Sequence, residues 1–315
     1  MTHRLLLDTD IGSDVDDAIA MGVLFSAAEE IELIAVTTVA GNTEGRAWAA
    51  ARMLGLAGFD GVEVCVGAQE ALARKNRFAW RDIEMKDYPE GPDAIRSDEP
   101  AAERIARAGR EEPGFELVAI GPLTNLAHAL ALDPELPSRV SRLTIMGGHI
   151  REVRIGSHLC KPGIDYNLCS DPEATVMVLG AGFPIRLVSA DVTLQTWMRE
   201  QDLALLAERP GPVPGVLVDQ IRRWTPFQQK IFTGLGGTLA KDNVAFLHDP
   251  LTMLSIFDAS ALHFEELRVV PTVEKGILRT IEVPAAAGLG ATMQVATTVD
   301  APAARDAIME RLLTI

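Results

Sequence analysis

Near its N-terminus the chain packs five aspartates, Asp8, Asp10, Asp14, Asp16 and Asp17, into ten residues. Leu5–Leu7 before them reads as a strand. Val15, Ala18, Ile19 and Val23 after them keep helical spacing, which predicts a helix over Val15–Phe25. The cluster therefore spans a strand end, a tight turn at Gly12 and a helix start, with Ser13 or Asp14 as the expected N-cap. One or two carboxylates can serve a helix N-terminus, a cap contributing about 0.5–2 kcal/mol. Five cannot all do so, because two carboxylates about 4 Å apart repel by about 4 kcal/mol at an effective dielectric of about 20. A turn that buries several of them needs a cation or strongly raised pKa values. Oxygen-only ligands point to Ca²⁺ or Mg²⁺ rather than zinc.

The rest of the chain alternates β-rich and amphipathic runs. Strands are expected at Ile31–Val39, Val62–Val66, Leu117–Ile120, Leu143–Met146 and Ile185–Ser189, with helices at Arg46–Leu56, Thr124–Leu132 and Pro172–Leu179. Three further strands, Leu267–Val273, Gly276–Val283 and Thr292–Val299, precede a closing helix over Ala301–Leu313. This order predicts an α/β fold, an open, mostly parallel Rossmann-like sheet with helices on both faces, spanning 1–315 as one domain. Ligands of such sheets bind beyond the carboxyl ends of the strands, where the polar clusters of this chain all fall. Residues 67–98 and 150–166 read as long loops over that site. A formal charge of -15 argues against a nucleic-acid partner. No run is long enough to span a bilayer. Three cysteines with no metal spacing suggest a cytoplasmic setting.

The other clusters are each weak alone. Gly41-Asn42-Thr43 follows the second strand, and Ile120-Gly121-Pro122-Leu123-Thr124-Asn125 joins a strand to a helix. Met146-Gly147-Gly148 permits close backbone approach, and Asp165-Tyr166-Asn167 lies shortly before Asp171-Pro172-Glu173. His248-Asp249 sets an imidazole beside a carboxylate. Taken in order, DTDIGSDVDDA, VAGNT, AIGPLTN, MGG, DYNLCSDPEA and LHDP resemble the inosine-uridine-preferring nucleoside hydrolase family over most of the chain. The resemblance implies the nucleoside hydrolase fold and hydrolysis of the N-glycosidic bond of a ribonucleoside. It also implies Ca²⁺ as cofactor and a homodimer or homotetramer. Asp10, Asp17, Asp249 and the Ile120 carbonyl match the metal ligands. Asp16, Asn42, Met146, Asp165 and Asn167 match the ribose contacts, and His248 matches a histidine that assists departure of the base. Two features depart from the commoner form. Ser13-Asp14-Val15 stand between Gly12 and the paired aspartates in place of one residue, making Asp14 a possible extra ligand. The 70–98 loop carries Phe78, Trp80 and Arg81 instead of a histidine-glycine segment.

Those residue types suit the reaction. N-riboside cleavage passes through an oxocarbenium-like sugar and needs one group to activate water and another to help the leaving base. Asp10, on the metal, is the expected general base, and His248 the expected acid, since imidazole titrates near neutrality. Trp224, Phe227 and Phe232 either close over the base or, as the simpler expectation, pack in the core. A haloacid-dehalogenase-like phosphohydrolase would use Asp8 and Asp10 with Mg²⁺ but leaves Asp14, Asp16 and Asp17 without a role. A calcium-binding module of the EF-hand kind needs Gly and Glu where Ser13 and Ile19 stand. A dinucleotide fold lacks its G-x-G-x-x-G after the first strand.

Overall fold

The computed structural model describes residues 2–73, 88–156, 158–234 and 237–315. Its strands begin with β1 (His3–Thr9), β2 (Ile31–Thr38), β3 (Glu63–Val66), β4 (Ile95–Ser97), β5 (Glu116–Ala119) and β6 (Arg142–Met146). They continue with β7 (Val153–Ile155), β8 (His158–Cys160), β9 (Ile185–Val188), β10 (Trp197–Arg199) and β11 (Asn243–Phe246). The last three are β12 (Leu262–Glu274), β13 (Ile277–Val283) and β14 (Ala291–Val299). Ten of them form one sheet in the order β13-β12-β14-β9-β6-β5-β1-β2-β3-β4. All pairings from β14 across to β4 are parallel, whereas β12 joins β13 and β14 antiparallel. The mostly parallel sheet expected from the alternation is present.

The leucines of β1 explain its central place. Leu5 and Leu7 enter one core and Leu6 the other, all three without exposed surface. A strand that buries both faces belongs inside a sheet covered on both sides. Helices Asp16–Ser26, Thr43–Leu56, Pro212–Gly234, His248–Phe257 and Ala301–Leu312 cover one face. Ala101–Glu111, Thr124–Leu132 and Pro172–Leu179 cover the other. Among the described residues no helix is long and apolar enough to cross a membrane.

The chain steps outward from β1 through β2, β3 and β4, then returns to β5, β6 and β9 on the other side of β1. That reversal splits the connections at the carboxyl end of β1 and opens a crevice there. The acidic turn leaves β1 at this point.

Three local expectations differ from what forms. Neither Ser13 nor Asp14 caps the first helix: Val15 precedes it without a side-chain cap, and Asp14 Oδ1 instead accepts the Val15 amide at 2.7 Å. The stretch read as a loop over 67–98 contains β4, and that over 150–166 contains the β7–β8 hairpin. The beginning of the first stretch is pinned, since the Ala68 and Gln69 carbonyls accept the amides of Ala40 and Gly41. Leu72 donates its amide to Asp171 at 2.6 Å. Phe78, Trp80 and Arg81 lie outside the described residues.

Asn125 is the tie across the crevice. Its Nδ2 donates to Asp8 Oδ1 at 2.7 Å and to the Thr38 carbonyl at 2.9 Å, while its Oδ1 accepts the Ala68 amide at 2.9 Å. One buried side chain thereby joins β1, β2 and the segment after β3. Asn125→Ala leaves those partners buried and unmade, and is expected to cost about 2–4 kcal/mol of stability in urea denaturation. A cost below about 1 kcal/mol would mean that the tie is dispensable.

Candidate active site

The site begins where β1 ends. Asp8 is fully buried and accepts from Thr37 Oγ1 at 2.5 Å and from Asn125. Burial pushes its carboxyl up to about 7, against the pull of those two hydrogen bonds. The Thr9 hydroxyl donates to Asp17 and accepts the Ile11 amide at 3.1 Å, closing the turn on itself. Gly12 sits at φ 110°, a conformation that favours glycine. The backbone of Gly121 approaches Asp10 so closely that a Cβ there would stand 2.8 Å from Asp10 Oδ1.

Asp16 and Asp17 open the first helix, and Asp249 lies in the first turn of the helix His248–Phe257. The two helix N-termini meet, and the amide of Asp249 donates to the carboxylate of Asp16. Asp16, Asp17 and Asp249 each present a carboxylate oxygen within 4.8 Å of the others, all three being buried. Burial raises all three pKa values well above the usual carboxylate range, and their mutual repulsion and that of Asp10 add to it. Asp10 is pushed up to about 6 by burial, with the Arg46 guanidinium pulling it down. Asp249 Oδ1 and Asp8 Oδ2 are buried and have no hydrogen-bond partner among the described residues. An all-oxygen donor set with repelling charges and an orphaned oxygen fits a hard divalent cation.

The residues expected at the site fall around this cluster to different degrees. Asp16, expected on the sugar, belongs to the close carboxylate group together with Asp17 and Asp249. Asp10 acts on all three electrostatically. Asn167 Nδ2 donates to the Ile120 carbonyl at 2.7 Å and to that of Met146 at 3.2 Å, so these three form one wall. Asp165 caps the helix Tyr166–Ser170 through the Leu168 amide at 2.8 Å. Asn42 caps the helix Thr43–Leu56 and is exposed. Asp14, half-buried, adds to the repulsion on Asp16 and Asp249.

His248 presents Nδ1 to the Thr193 hydroxyl at 2.7 Å, and its ring lies 5.3 Å from that of Phe246. Its titration departs from the expected neutral range, because burial pushes the imidazole down to about 4. Trp224 is buried in the core and Phe227 packs against it. Phe232 stacks on Phe246 at 4.9 Å, one ring removed from His248.

Three neighbours had no role in the sequence argument. Thr193 orients His248, but a single threonine after a strand carries no signal. Tyr166 stands inside the D-Y-N segment, and its phenol is raised by burial and by Asp10, Asp17 and Asp14. Arg46 is fully buried beside the acidic turn, although its place in an alanine-rich helix gave no hint of that.

The family model described as inosine-uridine preferring nucleoside hydrolase matches residues 5–306. A pyrimidine-specific ribonucleoside hydrolase of Shewanella woodyi is 32% identical over 80% of this chain and 78% of its own. A probable uridine nucleosidase of Arabidopsis thaliana is 28% identical over 98% of this chain and 97% of its own. Among solved structures, a plant nucleoside hydrolase superposes with a TM-score of 0.85 at 25% identity, covering 100% of both chains. A purine-preferring ribonucleoside hydrolase from Gardnerella vaginalis gives a TM-score of 0.81 at 25% identity over 99% of this chain and 98% of that one.

The raised carboxyl groups make the metal-free protein pH-sensitive in a defined direction. A carboxyl with a raised folded pKa binds its proton more tightly folded than unfolded. Stability therefore falls as pH rises from about 4 through the folded value, and is level above it. With Asp10 at about 6 and Asp8 at about 7, chelated protein should melt about 3 °C or more higher at about pH 5.5 than at about pH 7.5. Millimolar calcium should raise the melting temperature chiefly at the higher pH, where the carboxylates are free to bind it. A chelated melting temperature that instead falls on this acidification would show that the cluster is not strained.

Proposed function

Because the chain belongs to the inosine-uridine preferring nucleoside hydrolase family, and is therefore a hydrolase of the N-glycosidic bond of ribonucleosides, we propose that it works with Ca²⁺ held by the aspartates at the end of β1. The observation that supports this reading is the buried group Asp16, Asp17 and Asp249, with an Asp249 oxygen that has no hydrogen-bond partner among the described residues. Asp10, Asp17, Asp249 and the Ile120 carbonyl are the proposed ligands. Asp16 is close enough to the same point to share its two oxygens between the ion and a ribose hydroxyl. When bound, the ion would supply positive charge that makes water in the site easier to deprotonate and attracts the hydroxyls of the sugar.

The remaining steps belong to the side chains. Asp10 takes the proton of the attacking water, since a carboxylate beside the same ion lies within reach of it. The water oxygen bonds to the anomeric carbon as the C–N bond breaks and its electron pair leaves with the base. Asp16 and Asn167 orient the ribose, with Asn42, Met146 and Asp165 completing the sugar subsite. Carboxylates around the ring stabilise the positive charge that develops on it. His248 is neutral at physiological pH. With Thr193 donating to Nδ1, its Nε2–H faces away from that contact and is the hydrogen-bond donor for the departing base. The base leaves as an anion held by that hydrogen bond and takes its proton from solvent.

Reducing-sugar release from uridine, inosine, cytidine and nicotinamide riboside, with and without chelator, tests this reading. Release of ribose that chelator abolishes and calcium restores is expected. No release from any of them, or release indifferent to chelator, refutes it. Asp10→Ala should lower kcat/KM by about 10³-fold or more on every substrate. His248→Ala should lose about 10²-fold on inosine but less than about tenfold on a nitrophenyl riboside, whose leaving group needs no help. Equal losses on the two would remove His248 from leaving-group assistance.

A further inference from the structure

Among the described residues, Arg46 is the largest of the fully buried side chains. Its fork reaches two separate turns. Nε donates to the Ala40 carbonyl at 2.7 Å, Nη1 to the Ile11 carbonyl at 2.6 Å, and Nη2 to Ser13 Oγ at 2.9 Å. Ile11 and Ser13 flank Gly12 in the turn after β1, and Ala40 lies in the turn after β2. Ala40 itself holds φ 65°, a left-handed conformation uncommon for a residue with a side chain, and the Arg46 contact grips its carbonyl.

The turn that Arg46 grips is the lengthened one. Ser13, Asp14 and Val15 separate Gly12 from the paired aspartates, and no side chain caps the helix that follows. A longer turn has more conformations to lose, and repulsion between Asp10, Asp14, Asp16 and Asp17 spreads them further. An external clasp is the direct answer. A guanidinium suits it because its planar donors point in fixed directions, whereas an ammonium is a compact point charge.

We propose that Arg46 is a positioning residue for the cation site: its fork sets the lengthened turn so that Asp10 and Asp17 stand ready for the ion. The proposal rests on the cation-site reading above. Charge and geometry pull in opposite directions here. A buried positive charge repels an arriving cation, so charge alone predicts tighter binding once Arg46 is gone. The clasp predicts weaker binding. Arg46→Lys keeps the charge and removes the fork, which separates the two.

The test is calorimetric titration of calcium alone into the chelator-stripped full chain, well below its melting temperature, with circular dichroism confirming the fold. Arg46→Lys should bind calcium about tenfold or more weakly than the unaltered protein. Ser13→Ala, which loses one contact of a half-buried residue, should bind about threefold more weakly. Arg104→Lys is the control, because Arg104 is another buried guanidinium that grips the Ile34 carbonyl, Glu63 and Glu112 away from the site. It should lower the melting temperature and leave calcium affinity unchanged. Arg46→Lys binding as tightly as the unaltered protein overturns the proposal, and so does an equal loss in Arg104→Lys. Should Arg46→Lys not fold, unchanged affinity in Ser13→Ala overturns it by itself. If the unaltered protein takes up no calcium, the cation-site reading fails and this proposal falls with it; binding that Arg46→Lys matches defeats Arg46 alone.

Discussion

Repulsion among buried carboxylates is the constraint on which the architecture around the site depends. Three carboxylate oxygens within 4.8 Å of one another, with Asp10 beside them, each repel by about 3 kcal/mol per pair at an effective dielectric of about 20. Nothing hydrophobic can offset that locally. The protein sets three partial positive sources against it instead: the N-terminus of the helix Asp16–Ser26, the N-terminus of the helix His248–Phe257, and the guanidinium of Arg46. These reduce the repulsion without cancelling it, and burial first, then repulsion, raises the carboxyl groups. The remainder is what a divalent ion is suited to neutralise.

The sheet order makes such a concentration of polar groups feasible. Because β1 lies between β2 and β5, the turns after all three strands rim the same crevice. Their side chains are shared between elements: Asn125 serves β1 and β2, Asn167 serves the ends of β5 and β6, and Arg46 serves the turns after β1 and β2. Each polar group is buried with partners from another strand, so the site and the register of the sheet support each other. The apolar strand interiors beneath supply the rigidity that holds such a network in place.

Much of this was legible in the chain, and the failures have physical causes. The run Leu5–Leu7 announces a doubly buried strand, and the helices Thr124–Leu132 and Pro172–Leu179 form with the boundaries their spacing implies. The clusters after the strands also meet, because a parallel sheet sends all its strand ends to one edge. Short elements were missed: β4, β7 and β8 have three residues each and sit in polar surroundings, where alternation has no room to register. The N-cap expectation at Ser13 or Asp14 failed for another reason. Arg46 engages the Ser13 hydroxyl from a distant helix, and Asp14 turns to the adjacent Val15 amide, so neither side chain reaches the helix amides. Arg46 could not be found by periodicity at all, since its burial is created by turns that fold over it from elsewhere in the sequence. His248 was found by motif, yet its titration was not, because burial is a property of the fold.

Rigidity is unevenly distributed between the two ends of the crevice, and that asymmetry bears on what the fold can vary. The acidic end rests on strand ends and helix N-termini, and its members are locked by hydrogen bonds across β1, β2, β5 and β6. The end near His248 rests on Thr193, Phe246 and Phe232, of which Phe232 lies in the last turns of the helix Pro212–Gly234 and is half-exposed. In the proposed function a substrate gripped at its sugar by the first end meets a second end made of fewer shared contacts and longer connections, which tolerate substitution more readily. On the proposed reading, hydrolysis of the riboside bond depends on the electrostatics of the first end, and the choice of base on the second.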